Sequence, residues 1–541
     1  MSTINLHTSI ITSEQCYYSA RQIVLPLDLG LKLNPDDSVF SFHEVVRGVN
    51  LRQYLHFNEI GRTGYDNYMM LEVVLFAYMN NITSLRKIAQ ACLYDIRFMW
   101  LAREQTPSHE AFKRFINNNL KVNIKQIFAD INRQIASLDT VDTSVLYIDG
   151  TKIEANATKF SFVWKKATIT FLARLKEKIN KRYPSIQSFL SVENKVVTFE
   201  INKEPSLQLL REIYYALEEI RIESGVEFVH GKGTRKCEFQ RLYEEFSDYL
   251  ERMEKYEQQI RICGDRNSYS KTDHDATFMH GKEDYYMKTG IFKPYYNVQL
   301  GLCSEYIWIV DVNQRSADMK TFIPLMNVYH DLYNCYPKKS VADAGYGSYE
   351  NYMFCVSKNI EPFMKYPLYA KEKEKKFQKD IYRKENYRKD ENGNWLCPAG
   401  HIFKYDTEKW SKKGMYLSIT QIYRVKKCKE CPLKKECVTN SKKKLEDIEE
   451  KSLQINPVLM ELQATVRENL ESPEGIQLRV NRSIQAEGAF GVIKEDNGYD
   501  RFHRRGLEKV TMEMYLVAIG FNLMKYHKRK YREVKPSISI H

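Results

Sequence analysis

An α/β core preceded by a helical N-terminal domain and broken by two insertions is the fold class predicted by this 541-residue sequence, on three observations. Short apolar runs of strand character, LYIDG, YYNVQLGLC, YIWIVDVNQ and KKSVADAGYG, are interspersed with amphipathic helical stretches, as expected of a sheet with helices packed on it. That pattern is interrupted twice, by long charged helical sequence and by a basic stretch with clustered cysteines. Two of the strand-like runs carry an aspartate at their end, Asp149 and Asp343. A later helical stripe of Val480, Ile484, Phe490 and Lys494 carries Glu487.

Residues 1–40 read as an irregular leader containing Pro26 and Pro35, and residues 41–137 as a helical domain. Within it YDNYMMLEVVLFAYMNNI is a buried helix, SLRKIAQACLYDIRFMWLA a second and TPSHEAFKRFINNNL a third. Ser108 caps the third, with Glu110 in its first turn. Three short helices joined by tight turns fit a helix-turn-helix-like module. In that reading His109, Lys113 and Arg114 face DNA while Phe112 and Phe115 turn to the core. A plain helical bundle with charged outer faces fits the same pattern.

Residues 138–157 supply the first core strand, with Asp149. Residues 158–270 form a helical insertion in which LQLLREIYYALEEIRIESG and FQRLYEEFSDYLERMEKYEQQIRI suggest an antiparallel hairpin of helices. The core resumes over 271–360. Two strands are split by Ser304-Glu305, an amphipathic helix follows in DMKTFIPLMNVYHDLY, and the strand ending at Asp343 leads into a glycine-containing turn. Tyr346 in that turn either stacks on a distorted base or is an ordinary buried turn tyrosine. Residues 361–475 form the basic cysteine-containing insertion, and 476–541 the closing helices with Glu487 and a basic tail. With both insertions set aside the order is β-β-β-α-β-α, that of an RNase H-like core.

Apolar residues make up 43% of the chain, so it can bury sizeable cores. A formal net charge of +13 favours a polyanionic partner. No apolar run reaches the roughly 18 residues a bilayer demands, and MSTINLHTSIITSEQ lacks signal-peptide features. A cytoplasmic protein is expected. Cys16, Cys92, Cys237, Cys263, Cys303, Cys335 and Cys355 are scattered singly, as reduced and mostly buried thiols are. Cys397, Cys428, Cys431 and Cys437 instead cluster in CPAGH and CKECPLKKEC, and suit a structural Zn²⁺ with His401 as a spare ligand; a metal-free thiol cluster is the alternative.

Three carboxylates drawn together are tolerable only with compensating cations, and all-oxygen ligation favours two Mg²⁺ or Mn²⁺ ions. Such a pair serves phosphodiester chemistry. Three unrelated acids drawn from 69 remain the plainer reading. The absence of a GxxxxGK[ST] loop fits a reaction without a nucleotide cofactor. Arg504 and Arg505 in RFHRRG, with the later KYHKRKYREVK, place positive charge for DNA backbone contacts.

YIDGTKIEANA, TDHDATFMHGK with YYNVQLG, VADAGYGS, and RSIQAEGAFGVIK followed by FHRRG and FNLMKYHKRK together resemble the DDE transposases of bacterial insertion sequences, most closely the insertion sequence eleven-eighty-two group. The resemblance runs from about residue 36 to 531. GRTGYDNYMMLEVVLFAYMNNITSLRKIAQACLYDIRFMWL resembles the family's DNA-binding helical domain, and CPAGH and CKECPLKKEC its cysteine-bearing insertion. It implies that Asp149, Asp343 and Glu487 form a metal-binding triad and that Lys494 contacts a transposon-end phosphate. The arginine of the family's Tyr-Arg-Glu-Lys signature belongs where Ser483 stands; Arg482, one place earlier, is the candidate DNA contact, and Arg479 lies further back. The implied activity is cleavage at the element's terminal inverted repeats and joining of the 3′-OH ends to target DNA. A homodimer in the DNA complex and association with the nucleoid go with it. A catalytically dead DNA-binding descendant, or an RNase H-like nuclease that cuts without joining, are the alternatives.

Overall fold

The computed structural model describes residues 33–55, 64–195, 204–231, 233, 235–281, 292–412, 414–439 and 444–532. Most of the expected leader lies outside them, and its end is already helical, because the helix Ser38–Arg47 starts behind the Asp37 cap. The chain divides into two compact units, Met1–Thr140 with Tyr515–His541, and Val141–Met514. The expectation that 476–541 belongs wholly to the core is therefore corrected: from Tyr515 onward the last helix, Leu507–Arg532, groups with the N-terminal helices.

In the helical unit, Asn67–Met79 is apolar on all sides, and every residue from Met69 to Met79 is buried, including Glu72. Gly520 lets the last helix approach closely, since a Cβ there would stand 2.4 Å from the Tyr78 carbonyl oxygen. The single second helix predicted over SLRKIAQACLYDIRFMWLA is two, Leu85–Tyr94 and Ile96–Leu101. Asp95 breaks it by adopting extended backbone and capping the Arg97 amide at 3.0 Å. The third, His109–Phe115, has the expected cap, Ser108 accepting from the Ala111 amide. It does not stop there, continuing through a π turn, Ile116–Leu120, into Lys121–Leu138.

The other unit is built on a mixed sheet. β1 (Val145–Glu154) is followed by the short β2 (Phe162–Trp164), which pairs antiparallel with β3 (Ser268–Ser270). β4 (Thr277–His280) and β6 (Tyr306–Asn313) both pair antiparallel with β5 (Phe292–Cys303). β5 pairs antiparallel with β1, and β7 (Lys339–Ala342) and β8 (Glu361–Met364) continue parallel to β1 on its other side. Ser304 and Glu305 have φ of 47° and 71°, the double positive φ that a two-residue hairpin requires. β8 belongs to this main sheet, so the cysteine-containing insertion starts after it rather than at residue 361.

Between β2 and β3 the described residues form three helices, not the predicted hairpin of two: Lys165–Val192, Leu207–Ser224 and Glu238–Cys263. They share their own core, with Ile179, Ile186, Leu210, Leu217, Phe246 and Met253 fully enclosed. The cysteine-bearing insertion holds an antiparallel sheet in the order β11-β10-β9, comprising β9 (Lys404–Lys412), β10 (Leu417–Val425) and β11 (Lys451–Ile455). Its core is small: Tyr387, Phe403, Val425 and Leu453 are the buried members.

Candidate active site

Asp149 sits in the middle of β1, opposite Leu300 of β5, rather than at a strand end as the sequence suggested. Asp343 follows the last residue of β7, the strand next to β1. Asp149 is 7% exposed, and its Oδ1 accepts from the Gly150 amide at 2.9 Å. Asp343 folds back on its own turn, its Oδ1 accepting from the Gly345 amide at 2.8 Å.

Glu487 ends a π turn, Ser483–Glu487, that continues the helix Pro473–Arg482. A second π turn, Val492–Asp496, carries Lys494. These wider turns break the regular stripe read from the sequence: Val480 and Ile484 are exposed whereas Phe490 is buried. They also bring a residue five positions away onto the face of Glu487. Arg482 uses that geometry. Its guanidinium lies 3.1 Å from Glu487 Oε1 and 3.7 Å from Asp149 Oδ2, with only 16% of its side chain exposed. Ser483, in the place expected for the arginine, donates its hydroxyl to Glu487 Oε2 at 2.9 Å.

Beside the triad is a group that sequence reasoning missed. Asp318, just before the helix Phe322–Tyr333, accepts on Oδ1 from Asn297 at 2.8 Å and from Gln299 at 3.1 Å. A Cβ on Gly345 would lie 3.0 Å from Asp343 and 3.6 Å from Asp318, so both carboxylates flank this glycine. Gln299 also accepts from the Tyr346 hydroxyl. Tyr346 is 1% exposed, which makes it the buried turn tyrosine and not a base-stacking one. Burial and then the charges of Asp318, Asp149 and Asp343 hold its hydroxyl well above the ordinary tyrosine range. Lys365, just past β8, is lowered by burial and then by Arg479 and Arg482. The available signal was the pair Asn297 and Gln299: amides two apart on one face of an otherwise apolar strand must find buried partners.

The donor oxygens of Asp149, Asp343 and Glu487 suit a hard divalent ion, and the guanidinium between Asp149 and Glu487 marks where positive charge is demanded. With the side chains as they stand, no three His, Cys, Asp or Glu among the described residues close round a point that could hold a metal ion.

The remaining sequence candidates are dispersed. Lys113 and Arg114 are exposed on His109–Phe115, Lys113 paired to Glu110 at 3.2 Å, while Phe112 and Phe115 are buried. Arg504 is engaged inside the protein: its amide donates to buried Glu513 at 3.0 Å and its guanidinium lies 3.6 Å from the same carboxylate. Arg505 donates to the Asn156 carbonyl at 2.6 Å. Cys397, Cys428, Cys431, Cys437 and His401 border one cavity of about 20 Å³. Burial raises the Cys428 thiol, and the three neighbouring cysteines raise it further.

Two family profiles match the chain. One described as Transposase DDE domain covers residues 396–527, and one described as Transposase domain covers residues 31–118. They support a transposase of the DDE type, which implies DNA as partner and a nuclease or transferase activity. No curated protein and no solved structure matches. Among the described residues no helix is long and apolar enough to cross a membrane.

Proposed function

We propose that this protein is the transposase of a bacterial insertion sequence, of the eleven-eighty-two group, acting in the cytoplasm as a dimer on its DNA. The observation that carries the reading is the meeting of Asp149 on β1 with Glu487 on a helix 338 residues later, bridged by Arg482. The strand order β6-β5-β1-β7-β8, with β5 antiparallel and β7 and β8 parallel to β1, supports an RNase H-like core.

Asp149, Asp343 and Glu487 would hold two Mg²⁺ or Mn²⁺ ions, which supply Lewis-acid polarisation of the scissile phosphodiester. The chain's own residues set the stage. Ser483 fixes the Glu487 carboxylate, and the buried Tyr346–Gln299–Asp318 bonds fix the floor beside Asp343. Arg482 balances the carboxylates, and Lys494 is assigned a phosphate at the element end. Water cleaves the terminal phosphodiester to leave a 3′-OH, which then attacks a phosphodiester of target DNA; no protein nucleophile is required.

Purified protein with Mg²⁺ and a labelled element end should nick at the terminus and join that end to a target plasmid. Asp149→Asn should abolish both reactions while end binding persists. Cleavage retained in that variant would sink the triad assignment. Nicking without joining by the unaltered protein would favour a nuclease, and binding alone a dead scaffold.

A further inference from the structure

The cysteines of the insertion are unused by the phosphodiester chemistry, and they come together from separate stretches of chain. Cys397 lies in a tight turn after Leu396, Cys428 and Cys431 in the loop after β10, and Cys437 at the end of the short helix Lys434–Cys437. All four border the same cavity of about 20 Å³, room for a single water-sized occupant. All four are free thiols.

We propose that these four sulfurs bind one structural Zn²⁺ as thiolates, releasing their protons on binding. Donors aimed at sulfur support this. The Cys-Pro-Ala-Gly-His turn, made possible by Gly400 at φ 79°, points the His401 amide at Cys397 Sγ, 3.3 Å away. The Lys451 ammonium donates to Cys437 Sγ at 2.9 Å and to the Cys437 carbonyl at 3.1 Å. An amide and an ammonium so placed favour a charged sulfur over a neutral thiol.

Size gives a reason for the metal. A layer resting on Tyr387, Phe403, Val425 and Leu453, with Cys397 and Cys428 packed against them, buries little apolar surface for some ninety residues. Modules with so small a core gain their folding energy from a staple, and reduced cysteines leave a metal as the available one. The sulfurs do not yet surround a common point. All four cysteines nonetheless border one cavity. Tetrahedral sulfur ligation selects zinc over the hard ions of the carboxylate site.

The test uses the full-length protein, purified without chelator, with zinc measured by mass spectrometry. One zinc per chain is expected, falling to background in Cys428→Ser/Cys431→Ser and staying at one in Asp149→Asn. Titration of metal-depleted protein with Co²⁺ should give the intense sulfur-to-cobalt charge-transfer absorption, saturating at one ion per chain and bleached by added Zn²⁺. His401→Ala should leave the cobalt spectrum unchanged. Zinc-free protein that also shows no charge-transfer band overturns the proposal, as does zinc retained in the double serine variant. Neither readout depends on DNA cleavage, so the result stands apart from the transposase reading.

Discussion

Arg482 reaches Glu487 because the turn between them is wider than an α-turn. An α-helix presents residues three and four apart on one face, whereas the π turn over Ser483–Glu487 adds the fifth. One guanidinium thereby spans two carboxylates, a geometry that a lysine's point charge cannot copy. Arg482→Ala should slow single-turnover cleavage by on the order of 10- to 100-fold, about 1.4–2.7 kcal/mol, and Arg482→Lys should recover little of it. A cleavage assay on pre-bound element ends checks this, and undiminished rates in both variants would reduce the bridge to a passive ion pair. Glu72 offers a separate test by pH. Burial pushes its carboxyl from its ordinary value of 4.5 up to about 7, against the pull of Arg103. Between those values the folded chain keeps a proton that the unfolded chain has released, so stability declines as pH rises through this window, by about 3 kcal/mol in all. Glu72→Gln should therefore stabilise the protein more at pH 8 than at pH 5. Equal gains in denaturant melts at the two values would contradict the buried carboxyl's role.

Gly520 is where two helices of the N-terminal unit touch backbone to backbone. A methyl there would press to 2.4 Å from a carbonyl oxygen of Asn67–Met79 that cannot swing away. Gly520→Ala should cost about 1–3 kcal/mol, read as a lower thermal midpoint; an unchanged midpoint would mean that the helices separate freely. Elements whose signal is local were legible in the sequence. The Ser304-Glu305 hairpin, the Ser108 cap and the strand before Asp343 depend on neighbours in the chain. What was illegible depends on partners far away. β9 is exposed almost throughout and carries no alternation to read, and its pairing comes from β10. β8 is four residues long, and only β7 beside it makes it a strand. Asp95 resembled one more polar residue in an amphipathic run until its bond to the next helix's amide was visible. Asp318 was illegible as a site residue because a carboxylate in the first turn of a helical run is ordinary; two buried amides on another strand set it apart.

The +13 charge of the whole chain bears on binding rather than folding. Some candidate cations are committed internally: Arg482 to carboxylates, Arg504 to Glu513 and Arg505 to a carbonyl. Lys113 and Arg114 are exposed, Lys113 beside Glu110. If six or more phosphates are contacted, affinity for element ends should fall roughly a thousandfold between 50 and 200 mM salt. Fluorescence anisotropy across that range checks it, and a flat response would remove the backbone from the recognition scheme. Arg504→Ala should instead lower thermal stability, with the slope against salt nearly unchanged.

The pairing of Phe162–Trp164 with Ser268–Ser270 puts the two ends of the three-helix insertion side by side, Trp164 opposite Ser268. A module whose termini emerge as neighbours imposes almost no closure cost on its host. That junction is a splice point: a foreign domain with adjacent ends, such as a fluorescent reporter, could replace the helices while the host sheet keeps its register.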